Sequence, residues 1–508
     1  MDNEPSEVVF AATSLPTDSA LVFRYGDGPV KVPAPRKRGR PVGSIKKKAT
    51  SIRPNGQKGP ESHKYEFINL GSKSTVIDHA ARKCIKRRAM FNHTRRTTKH
   101  KEPTAKDNIG TIYPTEAFFS ELVLSQSSHA DPFDTLPIRL EPYMHGYLSL
   151  YITTIWETLY SIERRSGCNP MVNYWLPLAY NDPALLHTLI GCAASFVTRT
   201  NWNRGYPVFI RHLNNAMVII NQRLADSTDS VSDETLVVVA TIAMMKKIHG
   251  SHDQWAIHMR GLKRLVDSRG GLESLDDKPL IQSKIYRADL CGSIDATRGP
   301  YFSACYQGFY ATETRTYYLD RGFQELDHLL KLDPLIKEAM ITLQNVINTI
   351  STMNKKSPQA EAARARFWLT SAQYMLLSAE HKNKTDARLQ ALEACRLVLL
   401  LFTVTAFNEF PPGVSTSGML VAQLRKLLDE DAVCHLLTPE FRLWALFLTA
   451  TSVTDDVHKS WCLACIAETF SIMRIYREED FAEIVSIFPH GPSAHATICR
   501  LLYDEVRS

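Results

Sequence analysis

Charge along this chain is segregated, and the segregation decides where a core can form. From Lys31 to Lys106 there are 22 Lys and Arg against four acids, Glu61, Glu66, Asp78 and Glu102, a local net charge of +18. All other positions together hold 38 basic and 49 acidic side chains, net −11, so the overall +7 conceals two opposite regions. Between Gly26 and Pro60, six Gly and six Pro fall in 35 positions that contain no aromatic residue. Little apolar area is available there to offset chain entropy. A basic arm joined to a mildly acidic body is the pattern of a polyanion-binding tail on a globular domain.

The expected organisation is a disordered N-terminus over 1–30, a basic arm over 31–109 and a folded body over 110–508. Within the arm, 75–91 spaces Val76, Ile77, Ala80, Ala81, Cys84 and Ile85 at three- and four-residue steps and leaves Arg82, Lys83, Lys86 and Arg87 to other faces. That segment predicts a short basic helix that forms best against DNA or a partner.

The texture of the body is helical. Asn181-Asp182-Pro183 places a cap before a first-turn proline, and Leu185, Leu186, Leu189, Ile190 and Ala193 follow at helical spacing. Ser232-Asp233-Glu234 opens a second helix that carries Lys246, Lys247 and His249 near its end and stops at Gly250; Leu236 to Met245 is apolar almost all round and predicts burial on every side. Trp255, His258, Met259, Leu262, Leu265 and Val266 form a third stripe, ended by Gly270-Gly271. Further helices are expected near Pro334, Pro358, Thr385, Thr438, Lys459 and Ser493. Period-two strands with hairpin turns are lacking. The expected fold class is all-α, an irregular multi-helix domain of one compact unit or two fused lobes behind a long, largely disordered basic arm.

Several classes are not expected. Met1 to Glu7 is acidic and no signal-type apolar run follows it. The longest apolar stretch, Leu397 to Phe407, is 11 residues and contains Thr403 and Thr405, whereas a membrane helix needs about 20. Ten scattered cysteines suit reduced, mostly buried thiols of a nuclear or cytosolic protein. Cys462 and Cys465 stand at metal or redox spacing in an apolar helical context with no second pair nearby, and read as buried thiols. His249, His252 and His258 lack an accompanying carboxylate pattern and read as surface or capping residues. No phosphate loop, dinucleotide fingerprint or nucleophile elbow occurs. No catalytic residue, metal ligand or cofactor is assigned.

Pro35-Arg36-Lys37-Arg38-Gly39-Arg40-Pro41, followed by Lys46-Lys47-Lys48, is the sharpest motif. Glycine between two arginines makes a backbone slim enough for the minor groove, and proline keeps the path extended. Narrow A·T-rich grooves have deepened negative potential that favours inserted arginine. The stretch resembles the AT-hook. That resemblance implies that Arg38 and Arg40 enter the groove while Arg36, Lys37 and the three lysines meet phosphates. A basic cluster of this length serves equally as a nuclear import signal, and the two roles are compatible. Arg82, Lys83, Lys86, Arg87, Arg88, Arg95 and Arg96 are candidates for further phosphate contacts, or else form a solvated basic face.

Asp131-Pro132-Phe133-Asp134-Thr135-Leu136-Pro137-Ile138 and the segment from Trp255 to Leu272, with its Arg269-Gly270-Gly271-Leu272 ending, resemble the regulatory region of fungal-specific transcription factors, over about 110–500. Trp255, His258 and Arg269 are expected to pack and cap, with Gly261 easing close helix contact. Many members of that family begin with a binuclear zinc cluster of six cysteines, whereas the arm holds only Cys84. DNA contact by such a cluster is therefore not expected, and it falls to the hook-like motif, the basic segment or a partner protein. The leading expectation is a nuclear, DNA-associated transcriptional regulator whose partners are A·T-rich DNA and co-regulators or the transcription machinery, with no membrane. The alternative is a nuclear architectural or scaffolding protein whose arm is mainly an import signal. Oligomeric state stays open, since no long heptad run is present.

Overall fold

The computed structural model describes residues 10–11, 20–21, 136–200, 202–225, 231–303, 321–379, 385–407, 409, 417–489 and 495–507. The Pro35–Pro41 motif, the expected basic helix over 75–91 and the lead-in Asp131–Thr135 lie outside the described residues. Near the N-terminus, Phe10–Ala11 (β1) and Ala20–Leu21 (β2) pair antiparallel, Phe10 opposite Leu21 and Ala11 opposite Ala20. The remaining described elements are helical, in agreement with the all-α expectation.

Helix starts follow the caps. Pro142–Leu150 (α1) runs on through a π-helical turn, Tyr151–Ile155, into Trp156–Leu159. Pro183–Thr200 (α2) begins where Asp182 Oδ1 accepts the Leu185 N–H at 2.7 Å. Trp202–Leu224 (α3) folds back along it, so that a Cβ on Gly191 would lie 3.6 Å from His212 Cβ and 3.8 Å from the Phe209 carbonyl. In Asp233–Ile248 (α4), Ser232 Oγ accepts the Thr235 N–H at 3.2 Å, and every residue from Thr235 to Ile248 is buried. His252–Arg269 (α5) ends at Gly270, whose φ of +110° places the C-terminal residue in the left-handed region. Pro279–Ala296 (α6) follows after a 3-10 turn over Leu272–Leu275.

The second half repeats this logic. Pro334–Thr352 (α7) is capped by Asp333, Gln359–Ser378 (α8) starts after Pro358, and Ala387–Ala406 (α9) is capped by Asp386. Gly418–Leu428 (α10), Pro439–Ser452 (α11), Asp456–Met473 (α12), Glu478–Ser486 (α13) and His495–Arg507 (α14) complete the body. Thr438 and Asp455 cap α11 and α12. One contiguous apolar core runs from Met144 to Leu502, so the body is one unit rather than two lobes. Its densest part is aromatic: Trp444 stacks on Phe488 with ring centroids 5.0 Å apart, and Phe323, Phe402 and Phe441 surround the pair.

Helix α9 carries most of the apolar run Leu397 to Phe407. It is long and apolar enough, by length and composition, to cross a membrane, although the apolar run in its sequence is short. Its apolarity is accounted for by burial on all sides in the body, and its charged residues Glu393 and Arg396 are buried as a pair, with Arg396 Nε 2.7 Å from Glu393 Oε2 and Arg396 Nη1 donating to the Leu376 carbonyl at 2.8 Å.

Candidate functional site

All of the residues proposed for DNA contact, from Arg36 to Lys48 and from Arg82 to Arg96, lie outside the described residues. What the structure places is the interior of the helical body, and three polar clusters organise it.

The first centres on Asp289 in α6, which is fully buried. Its carboxylate accepts from the Tyr301 and Phe302 backbone N–H groups, both at 3.0 Å, from Tyr374 Oη at 2.9 Å and from Ser293 Oγ at 3.1 Å. Burial raises its pKa, and these donors oppose the rise. The chain leaving α6 is thereby tied to α6 itself and to α8. The second cluster pairs buried Lys247 of α4 with Asp295 of α6. Asp295 Oδ1 also accepts the Met419 N–H at 2.8 Å and the Leu420 N–H at 3.3 Å, so one carboxylate neutralises a buried ammonium and caps α10 from outside. Lys247 and its neighbour Lys246, near the end of α4 as expected, are both buried, and burial lowers the Lys246 pKa to about 8.

The third cluster is a chain of charges. Glu163 binds Arg366 of α8 by two bonds, Nε to Oε1 at 3.0 Å and Nη2 to Oε2 at 2.7 Å. Arg366 Nη1 lies 2.5 Å from Glu409 Oε1, and Arg287 Nε of α6 lies 2.8 Å from Glu409 Oε2. Arg287 Nη2 donates to the Leu159 carbonyl at 2.9 Å, and its guanidinium stands over the Tyr160 ring. Burial pushes the Glu163 carboxyl up, but the Arg366 guanidinium overcomes this and holds it below the usual range. Burial drives the Lys284 amine down to about 8 beside the Trp175 ring.

Arg287, Arg366 and Glu409 border a cleft among α4, α6, α8 and α9. Apolar walls come from Leu290, Ile294, Leu369, Val404 and Phe407, and polar atoms from Thr370, Gln373 and Thr403. None of this was visible beforehand, because Glu163, Arg287, Arg366 and Glu409 lie on elements far apart in the chain.

The expected core roles of α5 hold. Trp255 is buried and its Nε1–H donates to the Ala288 carbonyl at 2.7 Å, Gly261 is buried, and Arg269 Nη1 binds Asp233 at 2.6 Å and the Val231 carbonyl at 3.1 Å. His258, read both as part of the core stripe and as a surface or capping residue, is buried, and burial lowers its pKa to about 3. His249 meets Ser195 Oγ at 3.0 Å and stacks on Phe209. Cys462 is buried and Cys465 half-buried, both free thiols whose pKa burial raises. Among the described residues no group of three or more His, Cys, Asp or Glu is placed to hold a metal ion.

Residues 146–307 match the Fungal specific transcription factor domain. The matched span takes in α2 to α6 and the Trp255–Leu272 segment, but less than a third of the chain; the Asp131–Ile138 lead-in precedes it. No curated protein and no solved structure matches the chain. A domain of this description suggests a transcriptional regulator, a class that is generally non-enzymatic and usually nuclear. All three polar clusters bind the matched span to later parts of the chain: Asp289 to α8, Asp295 to α10, Arg287 to Glu409.

Proposed function

We propose that the chain is a nuclear, DNA-associated transcriptional regulator. The arm over 31–109 contacts A·T-rich minor grooves, and the body over 110–508 receives a signal or recruits co-regulators and the transcription machinery. The observation that carries this reading is the conjunction, in one chain, of a transcription factor domain match at 146–307 with Arg38-Gly39-Arg40-Pro41 inside a segment of net charge +18. Arg38 and Arg40 occupy the groove, Gly39 and Pro41 keep the backbone slim and extended, and Arg36, Lys37, Lys46, Lys47 and Lys48 meet phosphates. Arg82, Lys83, Lys86, Arg87, Arg88, Arg95 and Arg96 add affinity without sequence preference.

The test compares binding to A·T-rich and G·C-rich duplexes across a salt series. Groove reading gives an A·T preference that survives moderate salt and disappears in Arg38→Ala plus Arg40→Ala. Equal affinity for both duplexes, unchanged by the double substitution, leaves the arm as an import signal and favours the scaffolding alternative. Fusion of residues 110–508 to a foreign DNA-binding domain then separates regulator from scaffold by reporter output.

A further inference from the structure

We propose that the outer face of α12 is where a second copy of this chain docks, the two α12 helices packing antiparallel about a two-fold axis near Ala464. Dimerisation of the body goes beyond the DNA-contact reading and does not depend on it.

Helix α12 carries apolar residues on both of its faces, a pattern that belongs to a helix covered on both sides. Its own body covers only one. Cys462, Ile466, Thr469 and Phe470 are buried against the core, whereas Val457 is 70% exposed and Ile472 is 62% exposed on the outer side. Ser460, Ala464, Ala467 and Ser471 follow Val457 at three- and four-residue steps along that side and are exposed as well. Tyr476, just past the helix end, is 70% exposed. Large apolar side chains held in water along one helix face mark an interaction surface.

Charge identifies the occupant. Asp456 and Arg474 are exposed at the two ends of the helix, and the 18 positions between them make five turns, so the two share one flank. A second copy reversed about a two-fold axis keeps that flank on the same side. Asp456 of each copy then meets Arg474 of the other, and the pair forms twice. The same operation lays Val457 of each copy over Ser471 and Ile472 of the other. Ala464 meets its own equivalent at the crossing, where small side chains leave room for two backbones. A parallel pair would instead gather both Asp456 carboxylates at one end and both Arg474 guanidinium groups at the other. Acid against base and apolar against apolar under one rotation is the self-complementarity that a two-fold interface requires.

The face is narrow. One helix pair is small beside the roughly 800 Å² per partner of a standard interface, so the dimer is a weak one that dissociates in the micromolar range.

Sedimentation velocity on the full-length chain, from about 1 to about 100 µM, tests the proposal. The chain passes from monomer to dimer across that range. Ala464→Arg, a surface change at the crossing, leaves the circular dichroism spectrum unchanged and keeps the chain monomeric. Asp456→Arg and Arg474→Asp each weaken the dimer by about tenfold, because each sets like charges together twice, and the two combined restore it. A chain that stays monomeric at the highest concentration overturns the proposal. So does a dimer indifferent to Ala464→Arg, which must form through another surface, or a charge-reversed double variant that associates no better than the single ones, which rules out the antiparallel register.

Discussion

A Cβ placed on Gly292 would come within 2.2 Å of Cε2 of Trp255, so the α6 backbone and the α5 indole are in direct contact. The same indole donates from Nε1 to the Ala288 carbonyl one turn earlier at 2.7 Å. Glycine at 292 is what allows α5 and α6 to approach this closely. Both partners are buried, so neither can relax into solvent.

Gly292→Ala should therefore destabilise the body by about 1–3 kcal/mol, the usual cost of an overpacked core, despite alanine's better helix propensity. Urea unfolding checks it. Combining the change with Trp255→Phe, which shrinks the ring, should cost less than the sum of the two single changes, because the residues touch. Strict additivity would show that the contact is not the source of the effect.

Much of this architecture was legible because helix boundaries are local. Asp182, Ser232, Thr438 and Gly270 act where the cap and stop chemistry places them, and the all-apolar run in α4 is buried throughout. Helix α6 was not anticipated, for a physical reason. Lys284, Asp289, Ser293 and Asp295 are all buried in it, so the polar residues mark no solvent face and the helical period is erased. The cleft was equally hidden, since Glu163, Arg287, Arg366 and Glu409 become neighbours only through tertiary packing.

Asp295 serves two helices at once, which makes its loss severe. Asp295→Ala strands the Lys247 ammonium in the interior and uncaps α10, and should cost about 3–5 kcal/mol. Asp295→Leu combined with Lys247→Met should cost less than Asp295→Ala alone, because no buried charge is left unpaired. Urea midpoints compare the variants, and amide exchange at Met419 and Leu420 should rise in both. Unchanged exchange there would remove the capping role.

Acid should loosen the α1–α2–α3 corner. His212 is buried, its Nδ1 2.8 Å from His187 Nδ1 and its Nε2 3.1 Å from Tyr143 Oη. Burial, then His187 and Arg211, lowers its pKa to about 4, and burial lowers that of His187 as well. A histidine whose folded pKa is depressed binds its proton more readily unfolded. Its contribution is complete above the unfolded value of about 6.5 and is lost as pH falls towards about 4, with a slope of up to ~1.4 kcal/mol per pH unit. His212→Gln should flatten the stability profile between those limits while lowering stability at neutral pH. A profile as steep as that of the unsubstituted chain would assign the acid sensitivity elsewhere, with His258 as the next candidate.

The two parts of the basic motif should separate by their response to salt. Lys46, Lys47 and Lys48 can neutralise phosphates but, in the proposed pose, reach no base edge, so their effect is that of counterion release alone. Replacing all three by alanine should reduce the slope of log K against log salt by about 2–3 and weaken A·T-rich and G·C-rich duplexes alike, leaving their ratio unchanged. Arg38→Ala with Arg40→Ala should instead collapse the ratio, because groove width and potential are read by the inserted guanidinium groups. Fluorescence anisotropy on the two duplexes at several salt concentrations distinguishes these outcomes. A lysine triple variant that loses the A·T preference would mean that the preference resides in the flank and that Arg38 and Arg40 do not read the groove.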